Sequence, residues 1–313
     1  MPNVTNLVNS KFRVGLAFGV TAYFIWGLFP LFWSILEPAG AVEIVSHRIV
    51  WSMLFLLALV TISRSWHKVR SIFGSKKKAL LLAAAAVFIT ANWVTYIWAV
   101  VNERVVDTSF GYFMNPLVSV LLGVLVLRER LRISQWAAVG IAAVGVAIIT
   151  LGVGSVPVVG LILAFSFGFY GLIRKIADVD AVTAQMVETL YLTPFALGAF
   201  YLIAQDGQLA FGTSGAGKSF LLALAGVVTV VPLLAFGAAV IRIPLSTMGI
   251  LQYITPTMAL IIGVVLFKEQ MPLARWLGFA AVWVALIIFT VDALRNNQNN
   301  QKASIDPGAH PIT

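Results

Sequence analysis

Runs of about twenty apolar residues, parted by short polar clusters, recur along most of the chain. A membrane-crossing helix needs roughly 20 mostly apolar residues, about 17–25 in practice. Ten stretches qualify: 14–34, 44–63, 79–101, 105–127, 134–151, 156–173, 185–204, 219–241, 244–267 and 273–291. The pattern predicts an all-α integral membrane protein with ten transmembrane helices. The connections are mostly short, which suits adjacent antiparallel helices. Residues 1–10 and those after 294 are polar and are expected to be disordered. The first stretch follows Lys11 and Arg13 and so imitates a signal peptide. It is too long for an h-region, lacks a small-residue cleavage site and precedes nine more spans, so it reads as a retained helix.

Composition sharpens this picture. The 313 residues are 60% hydrophobic and 11% charged, without cysteine. Soluble domains carry about 25% charged residues, so this chain has too little polar surface for a water-soluble globule. A soluble enzyme, a disordered chain and a disulfide-stapled secreted fold are excluded. The net charge of +9 is explained by its sidedness. With the N-terminus inside, 16 of the 21 lysines and arginines fall on the cytoplasmic side, Arg174 and Lys175 among them. Only Arg104, Lys218, Lys268, Arg275 and Arg48, just inside the second span, fall outside. Cytoplasmic loops collect Lys and Arg, so both termini are expected in the cytoplasm, in a multi-pass protein of the inner (cytoplasmic) membrane. The basic charge is a topology signal and makes no claim on nucleic acid.

The chain also repeats itself. Pro116 and Pro256, Gly123 and Gly263, Glu129 and Glu269, and Trp136 and Trp276 are each 140 residues apart. A second register, offset by 144, aligns Trp26-Gly27 with Tyr170-Gly171. The division expected is a cytoplasmic segment over 1–12, a first repeat over 13–152, a second over 153–294 and a disordered cytoplasmic tail over 295–313. Each half holds five spans, an odd number, so the second half is inverted relative to the first. Inverted repeats mark secondary transporters, with the substrate near the midplane between the halves. Pro116 and Pro256 lie inside spans, where each removes a backbone hydrogen bond. They are hinge candidates, though tight packing explains them as well. Ser119 with Gly123, Ala259 with Gly263, and Gly15 with Gly19 place small residues one turn apart for close helix packing. Packing within the chain is the simpler reading, and monomer and homodimer both stay open.

Candidate chemistry is sparse. Residues 212–219 read GTSGAGKS, a formal match to the phosphate-binding loop. That motif needs a preceding strand and a soluble nucleotide-binding domain, whereas this copy falls in a short outer loop, so no nucleotide is expected. The three histidines, His47, His67 and His310, form no metal motif, and no catalytic pair appears. No cofactor, metal or enzymatic activity is expected. Glu188 is the acid set most clearly within a span. It is a candidate to carry a coupling proton or meet a cationic group. The other reading is a structural partner for a buried Arg, Tyr or Trp. Arg48 occupies the position equivalent to Glu188 in the 140-residue register. His47 and Arg48 together are candidates for an outer gate or an anion-attracting pair; snorkelling to the interface is the simpler account of Arg48. Asn92, Trp93 and Tyr96 make the third span unusually polar. Tyr112 and Asn115, Gln252 and Tyr253, and Tyr23 and Trp26 add to the set. Aromatic rings with a few amides and hydroxyls suit an amphipathic or aromatic small molecule. Trp33, Trp66 and Trp136 lie near span ends and read as interface anchors.

Six segments carry a resemblance: AYFIWG (22–27), SHRIVWS (46–52), NW with IWAVVN (92–102), GYFMNPLV (111–118), FSFGFYGLIRK (165–175) and QYITPT (252–257). In this order and spacing they resemble the RarD-like subgroup of the EamA family, in the drug/metabolite transporter superfamily. The resemblance runs from about residue 13 to residue 294. It implies ten helices as two inverted five-helix repeats with cytoplasmic termini. It also implies a central cavity built by the first, third, fourth, sixth, eighth and ninth helices, which nominates Trp26, Asn92, Tyr96, Tyr112, Asn115, Tyr170 and Tyr253. The eighth span carries Pro232 where the third has Asn92, which weakens a two-fold symmetric site. The expected function is transport of small metabolites or amphipathic drug-like compounds by alternating access, without ATP, with proton coupling as an open element. The alternative is a non-transporting sensor, assembly factor or lipid-modifying enzyme built on the same bundle.

Overall fold

The computed structural model describes residues 4–36, 39–101, 105–151, 158–207 and 209–265, and beyond these 273, 276–278, 280, 281, 283–285, 287, 288, 291 and 292. Among the described residues the chain is helical and contains no strand. The helices are α1 (Val4–Gly27), α2 (Phe29–Trp33), α3 (Ala41–Ile62), α4 (Trp66–Phe73), α5 (Lys76–Val101), α6 (Val105–Leu125) and α7 (Ile133–Leu151). The remainder are α8 (Val158–Ala177), α9 (Ala181–Gln205), α10 (Ala216–Val240), α11 (Leu245–Leu251) and α12 (Ile254–Val265). Among the described residues five helices, α3, α5, α8, α9 and α10, hold spans long and apolar enough to cross a bilayer.

Three sequence expectations need correction. Helix α1 begins at Val4, so residues 4–10 are helical and not disordered. The first apolar stretch, expected as one span over 14–34, breaks after Gly27 and resumes as the short α2. The ninth stretch, expected as one span over 244–267, is also broken. Helix α11 ends at Leu251, and Gln252 and Tyr253 turn before α12 begins. The break follows from Pro256, which has no N–H for the Gln252 carbonyl four residues back. Thr255 N donates to that carbonyl instead, at 3.2 Å, in a tighter turn. Pro256 therefore sits in the first turn of α12, where a missing N–H costs no helical bond. It is not the mid-helix kink that the sequence suggested. Pro116, in contrast, lies inside the continuous α6. The tail after 294, Glu269 and part of the tenth stretch lie outside the described residues.

Helices of the first apolar half pack mainly on helices of the second. Helix α1 lies against α10, α11 and α12, α3 against α9 and α10, α5 against α8 and α9, and α6 against α8 and α11. Glycines permit the closest of these approaches. A Cβ on Gly226 of α10 would stand 2.5 Å from Trp51 Cβ of α3, and one on Gly249 of α11 would stand 2.6 Å from the Pro116 carbonyl of α6.

Polar contacts gather at the two ends of α10. At its C-terminal end, Lys175 Nζ donates to the Val240 and Ile243 carbonyls at 3.1 and 2.5 Å. Beside it the Glu129 carboxylate accepts the backbone N–H groups of Leu245 and Ser246, at 2.7 and 2.9 Å, capping α11. At its N-terminal end, Lys218 Nζ donates to the Ile35 carbonyl at 2.6 Å, and Glu43 accepts the N–H groups of Ala210 and Phe211. The phosphate-loop look-alike lies here. Gly212 N donates to Ser219 Oγ at 2.9 Å, and Ser219 Oγ donates to the Gly215 carbonyl. Its lysine and serine thus stitch the start of α10.

Candidate functional site

Where α1, α3, α5, α6, α8, α10 and the α11–α12 break converge, they enclose a cavity of about 190 Å³. Its aromatic wall comes from Tyr23, Trp26, Trp93 and Phe167, and its polar groups from Arg48, Asn92, Tyr96, Tyr112, Asn115, Gln252 and Thr255. Trp26 packs against Tyr23 and Phe167 with ring centroids 5.5 and 5.6 Å apart. The ring of Tyr96 lies 6.2 Å from that of Tyr112. Several lining pairs, Trp93 with Leu233, Tyr112 with Gln252 and Asn115 with Thr255, are 140 residues apart, so equivalent positions of the repeat face one space.

Of the seven residues nominated for a cavity, Trp26, Asn92, Tyr96, Tyr112 and Asn115 line this one. Tyr170 and Tyr253 do not. The Tyr170 ring stacks on Phe236 with centroids 5.6 Å apart, and its hydroxyl donates to Glu188 at 3.3 Å. Tyr253 is buried at the helix break and donates to the Phe113 carbonyl at 3.3 Å. Both tyrosines spend their hydroxyls inside the protein. Spacing alone could not separate them, because a lining and a buried tyrosine both fit an apolar helix.

The gate candidates separate as well. Arg48 turns into the cavity, where Nε donates to Thr229 Oγ1 at 2.9 Å and the guanidinium stands 4.6 Å from the Trp93 ring centroid. It does not snorkel to the surface. His47 faces the other way, towards α9, in a separate apolar pocket with Trp51, Phe200 and Phe211. Its Nδ1 accepts from Trp51 Nε1 at 3.0 Å, which places the ring proton on Nε2, 3.7 Å from Glu43 Oε1. His47 and Arg48 therefore do not act as one pair. Glu188 meets a residue that sequence reasoning had counted as a cytoplasmic loop charge. Arg174 Nη1 donates to Glu188 Oε1 at 2.8 Å, and both side chains are 1% exposed. Gly237 of α10 opens the space for this pair, since a Cβ there would lie 2.1 Å from Arg174 Nη2. The signal available in the sequence was Arg174 standing at the end of an otherwise apolar span, one helix before Glu188.

Among the described residues no group of His, Cys, Asp or Glu is placed to hold a metal ion. Sequence reasoning missed Leu163, Phe167, Leu233 and Thr255 as lining residues. The three apolar residues among them carry no signal until the helices are assembled.

Comparison with known proteins agrees with this architecture. The EamA-like transporter family matches the chain twice, over residues 13–151 and 155–291. Protein RarD of Streptomyces exfoliatus is 48% identical over 290 residues, 92% of each chain. An uncharacterized transporter of Vibrio cholerae is 41% identical over 295 residues, covering 93% of this chain and 96% of that one. One solved crystal structure superposes with a TM-score of 0.69 over 90% of this chain and 98% of its own, at 15% identity, which shows a shared fold. The chain therefore belongs to the EamA-like transporter family, as a RarD-like, multi-pass member of the drug/metabolite transporter superfamily.

Proposed function

We propose that the protein is a secondary transporter of the inner membrane that moves a small amphipathic or aromatic compound through the cavity between its two halves. The observation that carries this reading is the lining itself. Residues 140 apart in sequence face the same space, as expected where inverted repeats rock about a fixed midplane site. The two halves run over 13–152 and 153–294, and both termini lie in the cytoplasm. Trp26, Asn92, Tyr96, Tyr112, Asn115 and Arg48 bind substrate, and the break before Pro256, packed against α6 near Pro116, supplies the flexible joint. In α11 and α12 the helix is already interrupted, so rocking there breaks few hydrogen bonds. Tyr170, Tyr253 and Glu188 support the walls. Glu188, sealed against Arg174, holds α8 to α9 and does not shuttle the coupling proton.

Flux into proteoliposomes tests this. A panel of fluorescent aromatic alcohols, amides and acids is expected to include members whose uptake saturates and shows counterflow from preloaded vesicles. Uptake at the protein-free rate for the whole panel, with and without a pH gradient, contradicts the transporter reading and favours a non-transporting sensor or assembly factor. In the Glu188→Gln variant, any pH-gradient dependence of the wild type is expected to persist. Its loss would return Glu188 to the coupling role.

A further inference from the structure

The cavity wall contains a polar group that nothing in the protein satisfies. Asn115 of α6 lines the cavity and is 5% exposed, and its Oδ1 is buried without a hydrogen-bond partner. Leaving a buried acceptor unmet costs about 1–3 kcal/mol, and native interiors keep few such groups without a reason. Here the group borders a cavity between the two halves. The final torsion of an asparagine is broad, so a turn of the carboxamide brings Oδ1 to the cavity face.

The other two carboxamides define what the space offers. Asn92 Nδ2 donates both to the Leu163 carbonyl at 2.9 Å and to Ser166 Oγ at 3.0 Å. Turning that amide over would set its oxygen against the Leu163 carbonyl, so its orientation is fixed and its Oδ1 is what remains for the cavity. Gln252, at the helix break, accepts from Ser119 Oγ at 3.3 Å through Oε1, which leaves its Nε2 as a donor. Around these groups stand the rings of Tyr23, Trp26, Trp93 and Phe167. No carboxylate stands among the described lining residues. An ammonium group would therefore enter a space with acceptors but no opposite charge, where burying it is costly.

We propose that Asn115 Oδ1 is the acceptor of a substrate subsite, and that the substrate is an aromatic compound without positive charge whose hydroxyl or amide N–H donates to it. The word substrate rests on the transporter reading; the binding site does not. The aromatic body lies among Trp26, Trp93 and Phe167. The polar group points to α6, with Asn92 Oδ1 as a second acceptor and Gln252 Nε2 as the donor to any oxygen the ligand carries. A site built to hydrogen-bond a hydroxyl rejects the analogue lacking it, because the site's own buried group is then left unpaired.

Equilibrium binding to protein in lipid nanodiscs separates this from transport. Three probes share one body: 2-naphthalenemethanol, its methyl ether and 2-naphthylmethylammonium. The alcohol is expected to bind at least tenfold more tightly than the ether, which keeps an acceptor and loses the donor, and also more tightly than the ammonium. In Asn115→Leu the preference for the alcohol is expected to shrink below threefold. Asn115→Asp, of nearly the same shape, is expected to favour the ammonium, which serves if the leucine variant does not fold. Equal binding of alcohol and ether, tightest binding of the ammonium by the wild type, a tenfold preference retained in Asn115→Leu, or no binding of any probe overturns the proposal. Selective binding without flux would sink the transporter reading alone, and flux without selectivity would sink the subsite alone.

Discussion

Arg48 and Glu188 stand 140 residues apart, the spacing of the internal repeat, yet their surroundings are opposite in kind. Arg48 bonds a residue of α10, and Arg174, the partner of Glu188, lies against Gly237 of the same helix. Arg48 meets the hydroxyl of Thr229 and the face of Trp93 and looks into the cavity. Glu188 is closed off in an ion pair with Arg174, in space that Gly237 leaves open. The repeat thus sets where charge sits along each helix, and the neighbours decide its use. At this position one half of the repeat turns its charge towards the cavity, and the other closes its charge into an ion pair.

Breaking the sealed side should have the largest effect. Removing one partner of a buried pair leaves an uncompensated charge, at a cost of about 3–5 kcal/mol. Arg174→Ala and Glu188→Ala should each lower the thermal midpoint in detergent strongly, and the double change Arg174→Met with Glu188→Leu should recover much of the loss. A single variant that melts like the wild type would remove the contrast. Next comes Gly237→Ala, whose new methyl group must push the Arg174 guanidinium away from Glu188. Overpacking of this kind costs about 1–3 kcal/mol, so an intermediate fall in midpoint is expected.

The cavity side should behave in the reverse way. Arg48→Ala is expected to cost only about 1 kcal/mol in stability, near that of one hydrogen bond, while uptake falls at least tenfold. Unchanged uptake in a well-folded Arg48→Ala protein would make Arg48 another structural charge. The smallest effect belongs to a surface contact, Asp292 with Arg132 and Ser134. Slight burial pushes the Asp292 carboxyl up, but the hydrogen bonds from Arg132 and Ser134 and the Arg132 charge outweigh it and hold the group below its ordinary value. The folded value is the lower one, so the stabilisation is present above the unfolded carboxylate value. It is lost as pH falls through the folded value. An exposed pair contributes about 0–1 kcal/mol, so Arg132→Ala should lower the midpoint slightly near neutral pH and not at all in strong acid. A drop that persists in strong acid would assign the contact to packing.

How much of this could be read before folding depends on the physics of each feature. Spans were legible because a bilayer imposes length and apolarity on a continuous run of residues. The repeat was legible because proline, glycine, glutamate and tryptophan recur rarely enough for a shared register to stand out. The break after Gly27 was not, since it lies inside an apolar run. At the break after Leu251, Pro256 pointed to a kink but not to the end of one helix and the start of another. Asn92, Asn115 and Tyr112 stood out as polar groups at membrane depth, and they do line one cavity. Tyr170 and Tyr253 looked the same in sequence, and only the neighbours Glu188 and Phe113 distinguish them. Arg174 was misplaced for a related reason. A cation at the end of a span looks like a loop charge until its helix is set against Glu188.

The absence of cysteine from the chain opens a direct test of the central claim, that both halves rock about one cavity. A single cysteine at Leu163, on the cavity wall, can be treated with a membrane-impermeant maleimide in right-side-out and in inside-out vesicles. The account expects labelling from both sides, slowed in each case by a compound that the protein carries. Labelling from one side only, or from neither, in a variant that still folds, would contradict alternating access through this cavity.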